Sequence, residues 1–211
     1  MSSSPNPFTV EVSSRLQHSV AEVARLLCDI KTITPEDARR IVARYTAAVE
    51  GNFVAWMGAA VVTARSLQGR YASAENLFVE IRDDHASMLH AFSATAQALP
   101  DKDHFVHIEH DVLAIRAMVS EMSGIKNLAL MAALENLSAV FIPYLQSLAV
   151  ICGSDNIAYT MIHGEADVKH ADQFLWALAE ECTHHNDPLP MVDDALTKTT
   201  QLLKTIFTPS S

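Results

Sequence analysis

The stretch LALMAALENLSAVFIPYLQSLAVI, Leu128 to Ile151, is the most hydrophobic part of the chain and reads as the centre of a helix running from about Ile125 to Cys152. Glu135 is its only carboxylate, and Leu128, Met131, Ala132, Ser138, Ala139 and Ile142 share its helical face. A carboxylate on such a face is costly to bury unless it is protonated, paired or bound to a metal. Lys126 or an arginine from another helix would serve as a partner, and a metal would serve as well.

Working outward, nearly half of the 211 residues are apolar, and only six glycines and eight prolines interrupt them, which favours long helices over short strands. An all-α single domain follows, since no shift in composition marks a second one. Periodicity and punctuation divide the chain into about seven helical stretches. Residues 1–9 form a polar N-terminal tail expected to be disordered, and residues 10–207 form the helical domain. The first helix spans about Val10 to Ile30. The second opens with Thr34 as hydroxyl cap, Pro35 at the first helical position, and Glu36 and Asp37 facing the positive end of the dipole, and continues to about Arg65. A third covers Ala72 to Leu99, and Pro100 and Asp101 close it and open a fourth that ends near Gly124. The sixth carries Tyr159 to about His184, and a short last helix follows the turn from Asp187 to Pro190. Short connections make neighbours antiparallel, so a helical bundle is expected, whose polar sites would be built by side chains from facing helices.

The formal net charge of −10 argues against a nucleic-acid or anionic-membrane partner, because both need clustered lysine and arginine. Cys28, Cys152 and Cys182 are odd in number and widely spaced, which points to neither a disulfide framework nor a thiolate zinc site. The N-terminus lacks the charged-then-apolar order of a signal peptide, and no uncharged apolar run of membrane-spanning length follows. A cytoplasmic protein is the expectation.

His163, Asp167 and His170 fall at i, i+4 and i+7 and form one stripe, which Phe174 extends into apolar territory. Two imidazoles and a carboxylate suit iron, manganese or zinc. The competing reading is a solvated face, given Glu165 and Lys169 nearby, or a network in which Asp167 only orients a histidine. Glu50 lies among Ala43, Thr46, Ala47, Phe53, Val54 and Met57, as a metal ligand or as a partner of Arg44 or Arg65. In the third helix Glu80 and His85 are five residues apart, about 140° around an ideal helix, and reach one centre only if the backbone unwinds between them. Glu75 or His90 could stand in for one of them, and the Asp83–Asp84 pair reads as exposed charge.

The order Glu, then acid plus His, then Glu, then HxxxDxxH over four helices resembles the heme-oxygenase-like diiron oxidases and oxygenases, which include CADD-like proteins, long-chain fatty-acid decarboxylases and the wider TenA/PqqC-like group. Tyr159 to His170 is similar to the family's last ligand motif, and Asn76-Leu77, Glu80 and His85-Ala86-Ser87-Met88-Leu89 to its middle one. The resemblance implies a heme-oxygenase-like bundle with metal ligands at Glu80, His85, Glu135, His163, Asp167 and His170, and Glu50 as an additional acid. It implies two iron ions, with an iron–manganese pair as the variant, and O2 as co-substrate acting through a peroxo-diiron intermediate. The substrate would be a small organic molecule such as an amino acid or fatty acid, and an external electron donor and a homodimer stay open. The chain departs from members that build an aromatic amine from their own tyrosine and lysine, because no lysine lies between Lys126 and Lys169. Met57, Phe53, Met131, Phe174 and Met88 are candidates to line an apolar substrate cavity, with Lys169 or Arg82 as an anchor for an acid. Two alternatives belong to other classes: a non-catalytic interaction or regulatory protein, and a metal-free TenA-like hydrolase built on an activated cysteine.

Overall fold

The computed structural model describes residues 6–209, excepting the side chains of residues 165–168. Among the described residues there are nine α-helices and no strand: α1 (Phe8–Leu26), α2 (Pro35–Val49), α3 (Phe53–Thr63), α4 (Leu67–Arg82), α5 (His85–Thr95), α6 (Lys102–Ser120), α7 (Gly124–Ile151), α8 (Ala158–Cys182) and α9 (Leu189–Phe207), with a 3-10 turn at Ile30–Thr32. The all-α class stands as expected.

The starts of the helices follow their local chemistry. Thr34 Oγ1 accepts from the Asp37 N–H at 3.1 Å with Pro35 at the first helical position, and Asp101 Oδ1 accepts from the N–H groups of Asp103 and His104. Such caps satisfy backbone donors that have no partner within the helix.

The count of about seven helices is corrected to nine. The expected second helix breaks after Val49, where Gly51 takes φ +76° and restarts the chain as α3. Asn52 holds that break: its Oδ1 accepts from Arg116 Nε and Nη2 at 3.0 and 2.8 Å, while its Nδ2 donates to the Ala48 carbonyl. The expected third helix starts earlier, at Leu67, and breaks at Asp84, which sits in the left-handed region with φ 53° and caps α5 by accepting from the Ser87 N–H. The first helix begins at Phe8, inside the expected tail, and the last, expected to be short, is as long as α6 because Val192, Ala195, Thr199, Leu202, Leu203 and Ile206 keep one face buried.

α7 is the axis of the bundle, with α8 along much of its length and α9, α1, α3 and α2 around it. It is the one described helix long and apolar enough to cross a membrane, and 78% of its most apolar window is buried against the other helices. α8 runs antiparallel to α4. At one end the fully buried Glu181 carboxylate accepts from the N–H groups of Arg65 and Ser66, at 3.0 and 2.8 Å, and further along Gln173 donates to Glu75.

Candidate metal centre

The break between α4 and α5 builds the first part of the site. Glu80 lies in the last turn of α4 and His85 opens α5, and the left-handed Asp84 between them brings Glu80 Oε1 to 2.8 Å from His85 Nδ1. The local unwinding that a shared centre demands is present. Glu75 and His90 lie elsewhere: Glu75 is exposed, accepting from Gln173 and near Lys169 Nζ at 3.6 Å, and the exposed His90 places Nδ1 3.4 Å from Oε1 of the half-buried Glu50.

α8 supplies the facing group. The His163 ring meets the His85 ring edge-on at 4.8 Å between centroids. One ligand atom from each of Glu80, His85 and His163 lies within 4.8 Å of the others. On the adjoining helices Glu135, 5% exposed on α7, places Oε2 3.7 Å from His170 Nδ1 on α8. Lys126, the alternative partner, instead joins Glu121 and Asp194 at 2.6 and 2.8 Å. The apolar face around Glu135 is buried as expected at Leu128, Met131, Ala132, Ser138 and Ile142, but Ala139 is exposed.

Glu50, Glu80, His85, Glu135 and His163 all line one cavity of about 60 Å³, walled by Phe53, Trp56, Phe141, Leu202 and Ile206. His170 stands beside Glu135, outside that lining. Asp167 lies outside the described side chains. Of the expected apolar lining residues Phe53 is at the wall, whereas Met57, Met131 and Phe174 are fully buried core and Met88 packs partly buried against it. The suggested anchors are surface groups: Arg82 pairs with Asp83 at 2.6 Å, and Lys169 is exposed beside Glu75.

Sequence reasoning missed two tyrosines. Tyr159 packs its ring against His163, tilted by 53° with centroids 4.5 Å apart, and its hydroxyl shares a 2.8 Å hydrogen bond with the hydroxyl of Tyr45. Both line the cavity and are nearly inaccessible. The available signal for Tyr159 was its place four residues before His163, on the same helical face. Tyr45 carried none beyond its apolar surroundings on α2.

The chemistry of these donors fits a cation. His85 is 3% exposed, and its Nε2 is buried with no hydrogen-bond partner among the described residues. An orphaned buried nitrogen is destabilising unless something in the site engages it. Three donors about 2.1 Å from one ion stand about 3–3.5 Å apart, so closing the cluster draws its widest pair together by about 1.5 Å, a movement that side-chain rotation can supply. No protein-family model matches the chain and no curated protein or solved structure does, so the likeness to the heme-oxygenase-like diiron enzymes rests on the motif residues alone.

Proposed function

We propose that this chain is a non-heme diiron oxidase or oxygenase, using O2 to transform a small organic substrate. The observation that carries the reading is the enclosed cluster of Glu80, His85 and His163 in a cavity that Glu50 and Glu135 also line. Two imidazoles and one carboxylate are the donor set that non-heme iron(II) accepts while keeping positions open. Glu80, His85 and His163 would hold one ion, and Glu135 with His170 beside it would offer donors for a second. Asp167 and Glu50 complete the set that the family resemblance implies. Bound iron would supply the redox chemistry of dioxygen that amino-acid side chains lack.

The protein's own part is positional. The 2.8 Å contact between Glu80 and His85 Nδ1 keeps both donors at one wall of the cavity, and an ion bound by both side chains would replace that hydrogen bond. Phe53, Trp56, Phe141, Leu202 and Ile206 exclude water and seat the apolar part of a substrate, and the paired hydroxyls of Tyr45 and Tyr159 are polar groups able to orient it. The hydrolase alternative is disfavoured. Burial, and then the Glu181 carboxylate beside it, push the Cys182 thiol up to about 11, burial raises Cys152 as well, and neither cysteine lines the cavity.

Metal analysis after anaerobic loading with iron(II) tests the reading. About two irons per chain, with absorbance that develops on adding O2, is the expected result. One iron would reduce the site to a mononuclear centre, and none would overturn the oxidase in favour of a non-catalytic scaffold. His163→Ala and Glu135→Ala should each lower the iron content.

A further inference from the structure

α4 is buried on one side and apolar on the other. Gly69, Ala72, Ser73 and Asn76 are buried against the rest of the protein. On the outer side lie Leu67, Tyr71, Ala74, Phe78 and Ile81, and the four large members are 63%, 68%, 60% and 61% exposed in that order. Water-facing side chains of this size in one continuous row are unusual for a surface with no partner. On the neighbouring helix α8, Trp176 is 53% exposed at a level between those at which α8 meets Ser66 and Glu75.

The spacing says what kind of surface would cover it. The five positions advance by four, three, four and three residues, the alternation of d and a positions in a two-helix coiled coil, with Leu67, Ala74 and Ile81 at d and Tyr71 and Phe78 at a. Arg70 then occupies a g position and Glu75 an e position, and both are exposed. When two copies of such a helix run parallel, the g residue of one faces the e residue five places later on the other. A two-fold axis along α4 therefore sets Arg70 against the partner's Glu75, and Glu75 against the partner's Arg70. The small Ala74 at the middle lets the backbones approach, while Tyr71, Phe78 and Trp176 are the residue types that anchor interfaces. A surface that complements itself in both apolar register and charge fits an isologous dimer.

We propose that the outer face of α4 docks a second copy of this chain, with the two α4 helices parallel about a two-fold axis. The proposal does not depend on the metal, and its test requires none.

Sedimentation velocity on the full chain should show a dimer. Phe78→Asp should weaken it by about thirtyfold or more, the scale of losing an interface anchor, with the helical circular dichroism unchanged. Arg70→Glu should weaken it too, and the double variant Arg70→Glu/Glu75→Arg should restore it. Ala74→Cys should form an intermolecular disulfide under mild oxidation while the wild type does not, a readout that stands even if Phe78→Asp folds poorly. A monomeric wild type overturns the proposal, as do a dimer indifferent to Phe78→Asp, a charge-swapped double variant that stays weak, an Ala74→Cys chain that does not cross-link, and a monomer that instead binds phosphatidylcholine vesicles.

Discussion

Glu80 Oε1 and His85 Nδ1 stand 2.8 Å apart although five residues separate them, a spacing that an unbroken helix would turn to different sides. Asp84 makes the contact possible by adopting φ 53°, and its side chain caps the helix that His85 begins. Aspartate tolerates the left-handed region better than most residues, glycine better still, and β-branched residues worst. Asp84→Gly should therefore leave stability within about 1 kcal/mol of the wild type, and Asp84→Val should lower it by about 1–3 kcal/mol. Urea unfolding of both variants measures the difference. Equal loss in the two would mean that the side-chain cap, and not the backbone turn, is what matters.

The caps at Thr34 and Asp101 and the apolar run around Glu135 are local signals, written in neighbouring residues, and they locate the starts of α2 and α6 and both ends of α7 closely. The break at Gly51 was missed and the one at Asp84 was foreseen only as a condition for Glu80 and His85 to share a centre, because each depends on something distant or unusual. Asn52 is held by Arg116 from another helix, and an aspartate at Asp84 punctuates less visibly than glycine or proline. Among the candidate ligands, helical spacing related His163 to His170 but could not reveal that His170 approaches Glu135 while His163 faces His85. That division is set by how α8 rolls against α7 and α4, which is a tertiary fact. It could not foresee the Tyr45–Tyr159 contact either, since 114 residues separate the pair.

The two acids of α4 should respond differently to removal. Glu80 lines the cavity, whereas Glu75 meets Gln173 and Lys169 on the surface. Glu80→Ala should lower iron affinity by at least about tenfold, and Glu75→Ala should leave it unchanged. Competition with a chromogenic iron chelator reads both, and a similar loss for Glu75→Ala would reverse the assignment.

Two helical glycines should give opposite results. A Cβ at Gly124 would lie 2.6 Å from the Thr63 carbonyl oxygen and also meet the Glu181 carboxylate, so Gly124→Ala should destabilise by about 2 kcal/mol or more. A Cβ at Gly164, inside α8, meets nothing within 4 Å, so Gly164→Ala should stabilise by about 0.5–1 kcal/mol through better helix propensity. Denaturant midpoints measured side by side decide both signs.

Acid should weaken the tie between α7 and α9. Hydrogen bonds from Lys126 and then Lys198 hold the Asp194 carboxyl below its ordinary value of 3.8. Because the folded value is the lower one, the unfolded chain binds more protons in that range; the contribution is complete above 3.8 and fades as the pH falls through the depressed value. Lys126→Met should cost roughly 0.5–1 kcal/mol at neutral pH, a modest figure because the carboxylate is partly solvated, and the gap from the wild type should narrow in strong acid. Unfolding curves recorded from neutral pH downward would show the convergence. A gap that persists unchanged would assign the effect to the lysine's packing or to Glu121.

The Glu181 carboxylate, far from the cavity, works as a rivet. It fastens the start of α4 to the end of α8, and these rods carry Glu80 and His163 at their other ends, about 21 and 27 Å further along. Spacing between the two donors is thereby governed by leverage from a remote joint, so loosening that joint would let carboxylate and imidazole drift out of alignment without any change at the cavity wall.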